Sequence, residues 1–100
     1  MPGAVEHLVL FKLKPGATQE QKEAMRQGLL SLRERVPGIA DISCGHNFSE
    51  RAVGHEIGLF VRFENRAALE GYLPHPAHRE VVERDVRPIM ESLIVVDYEI

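Results

Sequence analysis

The stretch VEHLVLFKL, residues 5–13, decides how the rest of the chain is read. Alternation puts Val5, His7, Val9, Phe11 and Leu13 on one side of an extended strand, and Glu6, Leu8, Leu10 and Lys12 on the other. Both sides have an apolar centre. A strand covered on one side needs only one apolar face, so the second requires another layer or another subunit. The stretch therefore points to a sheet with cover on both faces and gives the first indication of a dimer.

Working outward, KPGAT breaks this strand, and Thr18 with Gln21 three residues on carries a capping-box signature that opens a helix. Met25, Leu29, Leu32 and Val36 recur at helical spacing as a core stripe beside Ala24 and Gly28, while Glu20, Lys22, Glu23, Arg26, Arg33 and Glu34 face water. VPG at 36–38 ends the helix. A strand from Ile39 to about Phe48 then sets Ala40, Ile42, Cys44, His46 and Phe48 on one face. SERAVG is a loop, and a strand from His55 to Phe63 alternates His55, Ile57, Leu59, Val61 and Phe63 against Glu56, Gly58, Phe60 and Arg62. These two strands read as an antiparallel hairpin.

Asn65 is the expected N-cap of a short helix running through Leu73, with Leu69 and Tyr72 on one side. Pro74 and Pro76 interrupt it, because each disfavours helical geometry in the residue before it. Pro76 then suits the first position of a new helix that carries Val81, Val82 and Val86 and stops near Pro88. The last strand is expected from Leu93 to Glu99, with Ile94, Val96 and Tyr98 on one face and Leu93 and Val95 on the other. The order is that of a ferredoxin-like βαββαβ protomer of the α+β class, a four-stranded antiparallel sheet with helices on one face. Its other face, carrying Leu8, Leu10, Phe60 and Ile94 or their alternates, needs a second sheet to bury it.

At 100 residues the chain reads as one small domain, 1–100, and such a chain buries only roughly 60 to 70% of its unfolded surface. Association with a copy of itself relieves that limit. A net charge of −3 with both signs interspersed offers no basic face to phosphates, so no nucleic-acid partner is expected. The single Cys44 makes no internal disulfide, the N-terminus lacks the features of a signal peptide, and no apolar run approaches the ~20 residues of a membrane span. A cytoplasmic protein without membrane contact is the expectation.

The chemistry concentrates in GYLPHPAH, residues 71–78. With Pro76 first in its helix, His75 sits at the cap and His78 in the first turn, where free amides and the helix dipole favour the neutral imidazole. Neutral His78 could accept a carbon-bound proton while Tyr72 donates to a carbonyl oxygen, a mechanism that needs no cofactor. The competing reading has His78 bonding backbone groups and Tyr72 filling core beside Leu69. His75, between two prolines, is read as fixing the turn, and His7 either lines a ligand pocket or is a hydrogen-bonded strand histidine. No metal site is expected: His75 and His78 supply two nitrogens where zinc takes three or four protein ligands. His46 and His55 read as solvated strand ends.

HLVLFKLK, VPGIADISCGHNFS, GLFVRFENRAALEGYLPHPAHREVV and VVDYEI together resemble the Dabb family of stress-responsive dimeric α+β barrel domains, in order and over almost the whole chain. The resemblance implies a ferredoxin-like protomer whose sheet pairs with a second copy's sheet to close a barrel. Some plant members resemble enzymes that close polyketide chains by aldol condensation, and their catalytic tyrosine and histidine match Tyr72 and His78. A first-strand histidine bordering the same pocket matches His7, which Val9 and Phe11 follow on the same face. Where those cyclases have large aromatic walls, this chain has Met25, Leu29, Val81 and Met90. Related barrels also include haem-degrading monooxygenases, but a chain with no tryptophan, two tyrosines and four phenylalanines is poorly equipped to line a haem cavity. Three readings result: a homodimer binding a small apolar molecule, a cofactor-free cyclase or lyase using the same pocket, and a structural stress protein.

Overall fold

The computed structural model describes residues 3–100; Met1 and Pro2, part of the N-terminal reading above, lie outside the described residues. The elements are β1 (Val5–Leu13), α1 (Gln19–Arg35), β2 (Ile39–His46), β3 (Ile57–Phe63), α2 (Arg66–Tyr72), α3 (Pro76–Val81) running into a π-helical turn (Val82–Val86), and β4 (Met90–Glu99). The sheet has the order β2-β3-β1-β4 with every neighbouring pair antiparallel. This is the ferredoxin-like βαββαβ arrangement that the sequence indicates.

β1 is central, and its register fixes the faces. Val9 lies opposite Leu59 on β3 and Val95 on β4, while Leu8 lies opposite Phe60 and Val96. The helix-covered face buries Val5, Val9, Phe11 and Leu13 of β1 with Ile57, Leu59, Val61 and Phe63 of β3. Each such side chain contributes about 1.5–3 kcal/mol by leaving water.

Local signals position α1 against this face. Thr18 Oγ1 accepts from the Gln21 N–H at 3.1 Å, and Gln21 Oε1 accepts from the Thr18 N–H at 2.9 Å, so the capping box is complete. Met25, Gly28, Leu29 and Leu32 are buried along the stripe, whereas Ala24 faces solvent. The chain turns out of α1 through Gly38 at φ 89°, where an added Cβ would lie 2.5 Å from that of Ala68. Asn65 caps α2 by accepting from the Ala68 N–H at 2.9 Å.

Three strand boundaries and two internal irregularities differ from expectation. β2 stops at His46, so Phe48 leaves the strand and stands 99% exposed. Within β2 the pairing slips between Ile39 and Asp41, a bulge at Ala40 that takes this residue out of the regular alternation. β3 starts at Ile57, and His55 is a buried loop residue whose Nδ1 lies 2.7 Å from the Ala52 oxygen, not a solvated strand end. β4 begins at Met90, three residues early, because Met90 pairs with Leu13 across a bulge. After α3 the helix widens: the Arg87 N–H donates to the Val82 oxygen at 2.8 Å, five residues back. That extra residue brings Val81 and Val86 into the core together, a spacing that α-helical periodicity does not supply.

Candidate functional site

α2 ends at Tyr72 and the chain reverses over three residues. The His75 N–H donates to the Tyr72 oxygen at 3.1 Å, and His75 Nδ1 accepts from the Ala77 N–H at 3.0 Å. With Pro76 at the first helical position, this turn folds His78 back onto Tyr72, their ring centroids 4.4 Å apart. His75 thus acts as a cap. Phe63 packs edge-on against Tyr72 at 4.9 Å, and the ring of His7 on β1 stands 6.0 Å from Tyr72. The structure therefore brings together His7, Tyr72 and His78.

Each of the three is held differently. His78 Nδ1 lies 3.0 Å from the Leu73 carbonyl oxygen; a carbonyl can only accept, so Nδ1 carries the proton and a neutral His78 has its lone pair on Nε2. Burial pushes the His78 pKa below the ordinary imidazole value, with His7 and His75 adding to the effect and the Leu73 carbonyl opposing it. The Tyr72 hydroxyl is shielded from solvent and has no hydrogen-bond partner among the described residues. Its burial raises the phenol pKa far above the ordinary range, which keeps it protonated as a donor. His7 is buried, and its Nδ1 pairs with Asp97 Oδ1 from β4. Asp97 stands directly opposite His7 in the β1–β4 register.

Beside these groups a cavity of about 200 Å³ opens between the helices and the β1–β4 half of the sheet. Of the expected residues, His7, Val9, Phe11, Leu29, Tyr72, His78 and Met90 line it. Met25 and Val81 do not; both lie in the core, fully buried, and the π-helical turn presents Val82 and Val86 to the cavity instead. Leu59, Leu73, Leu93 and Val95 complete the wall and had not been singled out. Asp97 was also missed, although the parity that puts Leu93 and Val95 on the helix side carries on to it. Among the described residues no three His, Cys, Asp or Glu side chains are grouped to hold a metal ion. His46 is exposed, 3.7 Å from Glu23.

The arrangement is an apolar chamber with one phenolic donor, one imidazole acceptor and one carboxylate-held histidine. It defines an α+β protomer of ferredoxin-like fold with a small cavity between sheet and helices. The chain belongs to the stress responsive A/B barrel domain (Dabb) family, whose pattern it matches over residues 5–100. It is 35% identical over 98% of its length to a stress-response A/B barrel domain-containing protein of Arabidopsis thaliana, and spans 38% of that protein. It is 32% identical to olivetolic acid cyclase of Cannabis sativa, over 95% of both chains. In structure it resembles a dimeric ferredoxin-like protein from Bacteroides fragilis, with a TM-score of 0.84 at 28% identity, covering 98% of this chain and 97% of that one. It also shares its fold with the hydroxynitrile lyase of Passiflora edulis, with a TM-score of 0.89 at 21% identity over 100% of this chain and 95% of that one. Among the described residues no helix is long and apolar enough to cross a membrane.

Proposed function

We propose that the protein is a cytoplasmic homodimer that binds a small, largely apolar molecule bearing a carbonyl or hydroxyl oxygen in the His7–Tyr72–His78 cavity. The observation that carries this reading is the Tyr72 hydroxyl, buried without a partner among the described residues, on a wall that is apolar apart from Tyr72, His7 and His78. An unsatisfied buried hydroxyl costs about 1–3 kcal/mol, which a ligand oxygen accepting its hydrogen recovers once a small shift of the ring or its neighbours opens the buried hydroxyl to the cavity. At about 200 Å³ the chamber is smaller than the ~300–1,000 Å³ of most ligand sites, which favours a compact occupant. The half-exposed Leu10, Ile94, Val96 and Tyr98 on the other sheet face support the dimer, as do the dimeric solved relatives.

A second reading, turnover without a cofactor, is favoured by the His78–Leu73 hydrogen bond. It leaves Nε2 as the base that removes a proton from the carbon next to a carbonyl, while the Tyr72 hydroxyl keeps its proton and hydrogen-bonds the carbonyl oxygen, stabilising the enolate. The enolate can attack a second carbonyl of the same molecule, and the protonated His78 returns its proton to the alkoxide that forms. The similarity to olivetolic acid cyclase supports this chemistry.

Calorimetry with para-alkylphenols and short β-diketones tests binding: Tyr72→Phe weakens affinity about tenfold, the loss of one hydrogen bond of ~1.4 kcal/mol. An unchanged affinity defeats the assignment. Deuterium uptake at the diketone methylene, followed by NMR, tests turnover; enzyme-dependent exchange that survives both Tyr72→Phe and His78→Ala rules out the proposed pair.

A further inference from the structure

The width of the cavity depends on a contact that lies outside it. α1 meets the π-helical turn at Gly28, where an added Cβ would sit 2.3 Å from Asp85 Oδ2, 3.3 Å from Asp85 Cγ and 3.1 Å from Val81 Cγ1. Only glycine leaves room for the carboxylate against α1 at this distance. The Asp85 side chain is 10% exposed, and its oxygens accept from Arg84 Nε at 3.1 Å and Arg84 Nη2 at 2.8 Å, so its charge stays partnered while it is wedged there. The residues next to this contact form cavity wall: Leu29 follows Gly28 on α1, and Val82 and Val86 flank Asp85 on the turn. Distances between packed helices follow the size of the side chains at their crossing.

We infer that the Gly28–Asp85 contact, which itself touches no ligand, sets the gap between Leu29 and the Val82–Val86 wall and so determines the size of molecule the cavity accepts. The inference rests on the cavity being a ligand site. A methyl group on Gly28 requires the carboxylate to withdraw by roughly 1 Å to reach ordinary contact. Turning the carboxylate aside does not by itself relieve the contact, because the new methyl also lies 3.1 Å from Val81 Cγ1 and a β-branched side chain has few χ1 alternatives. The turn must then move away from α1, which opens the chamber between Leu29 and Val86. Gly28 and Asp85 are positioning residues, since each acts through its neighbours on the wall.

The test uses the full dimeric chain and para-alkylphenols from methyl to butyl, measured by calorimetry. Gly28→Ala should move the preference toward longer chains, with a relative change of about tenfold between homologues one or two methylenes apart. Gly28→Ala combined with Asp85→Ala removes the obstructing carboxylate and should restore the original order; a double variant that keeps the shifted order overturns the inference. If Gly28→Ala fails to fold, Asp85→Glu presses an extra methylene on the same contact and should shift the preference the same way, and an unchanged order there overturns it. Crystal structures of the folded variants supply a readout without ligand. An unchanged Leu29–Val86 gap defeats the inference, whereas a widened gap in a protein that binds none of the phenols defeats only the ligand-site reading.

Discussion

Val9 and Leu10 are neighbours on β1 and similarly apolar, yet Val9 is 5% exposed and Leu10 42% exposed. The same contrast runs through the sheet. On one face the helices and the π-helical turn cover β1 and β3, with the cavity lying over the β1–β4 half of the sheet. On the other face Leu8 and Phe60 are partly buried while Leu10, Ile94, Val96 and Tyr98 are half-exposed, and together they form an apolar surface. At one side of that surface Glu6 is buried, with one oxygen receiving Arg62 Nε at 2.8 Å and Arg62 Nη2 at 2.6 Å, while Arg62 stacks 5.5 Å from the Phe60 centroid. Alternation assigns a residue to a face; what packs on that face decides whether the residue is core, cavity wall or open surface.

The two faces should therefore respond differently to substitution. The largest effect belongs to the sealed face. Phe63→Ala leaves a cavity beside Tyr72 and should cost about 3–5 kcal/mol in denaturant unfolding of the protomer. Next comes the open face, where Leu10→Lys should preserve the protomer's circular dichroism but raise the dimer dissociation constant at least about 100-fold, roughly 2.7 kcal/mol. Light scattering at micromolar concentration checks it, and a variant that remains a dimer would mean this surface is covered in some other way.

Within the helix-covered face, Tyr72→Phe separates packing from chemistry. Removing an unpartnered buried hydroxyl should raise stability by about 1 kcal/mol, the reverse of a core truncation, while ligand affinity falls. The smallest effect is a pH slope. The folded-state pKa of His78 is depressed, chiefly by burial, so the unfolded chain takes up this proton first. Its contribution to stability is present above the ordinary imidazole value of about 6.5 and is lost as the pH falls from there through the folded pKa. His78→Gln should flatten that part of the stability profile, measured as the urea midpoint across mildly acidic pH; an equal slope in wild type and variant would assign the effect elsewhere.

Much of this was legible in local sequence. The parity of β1, the Thr18–Gln21 box, the Asn65 cap and Pro76 at the start of α3 each follow from interactions within a few residues. Tyr72, His75 and His78 form one short motif, so their shared neighbourhood could be read directly, and His7 could be placed on the same side by alternation. Phe48 was misplaced because alternation cannot say where a strand stops. Met25 and Val81 were expected on the wall from the resemblance to the cyclases, and a matching position does not fix which buried residue borders the cavity once a π-helical turn resets the spacing.

The sequence by itself determined the element order, the faces of the strands and the residues able to do acid–base chemistry, since periodicity, caps and prolines act over distances of a few residues. Only the tertiary structure decided that Asp97 meets His7 across 90 residues, that a π-helical turn puts Val82 and Val86 in the wall, and that Gly28 admits Asp85 at the crossing. These are distances between elements remote in the chain, set by the balance of packing across the whole core, and no local pattern of residues encodes them.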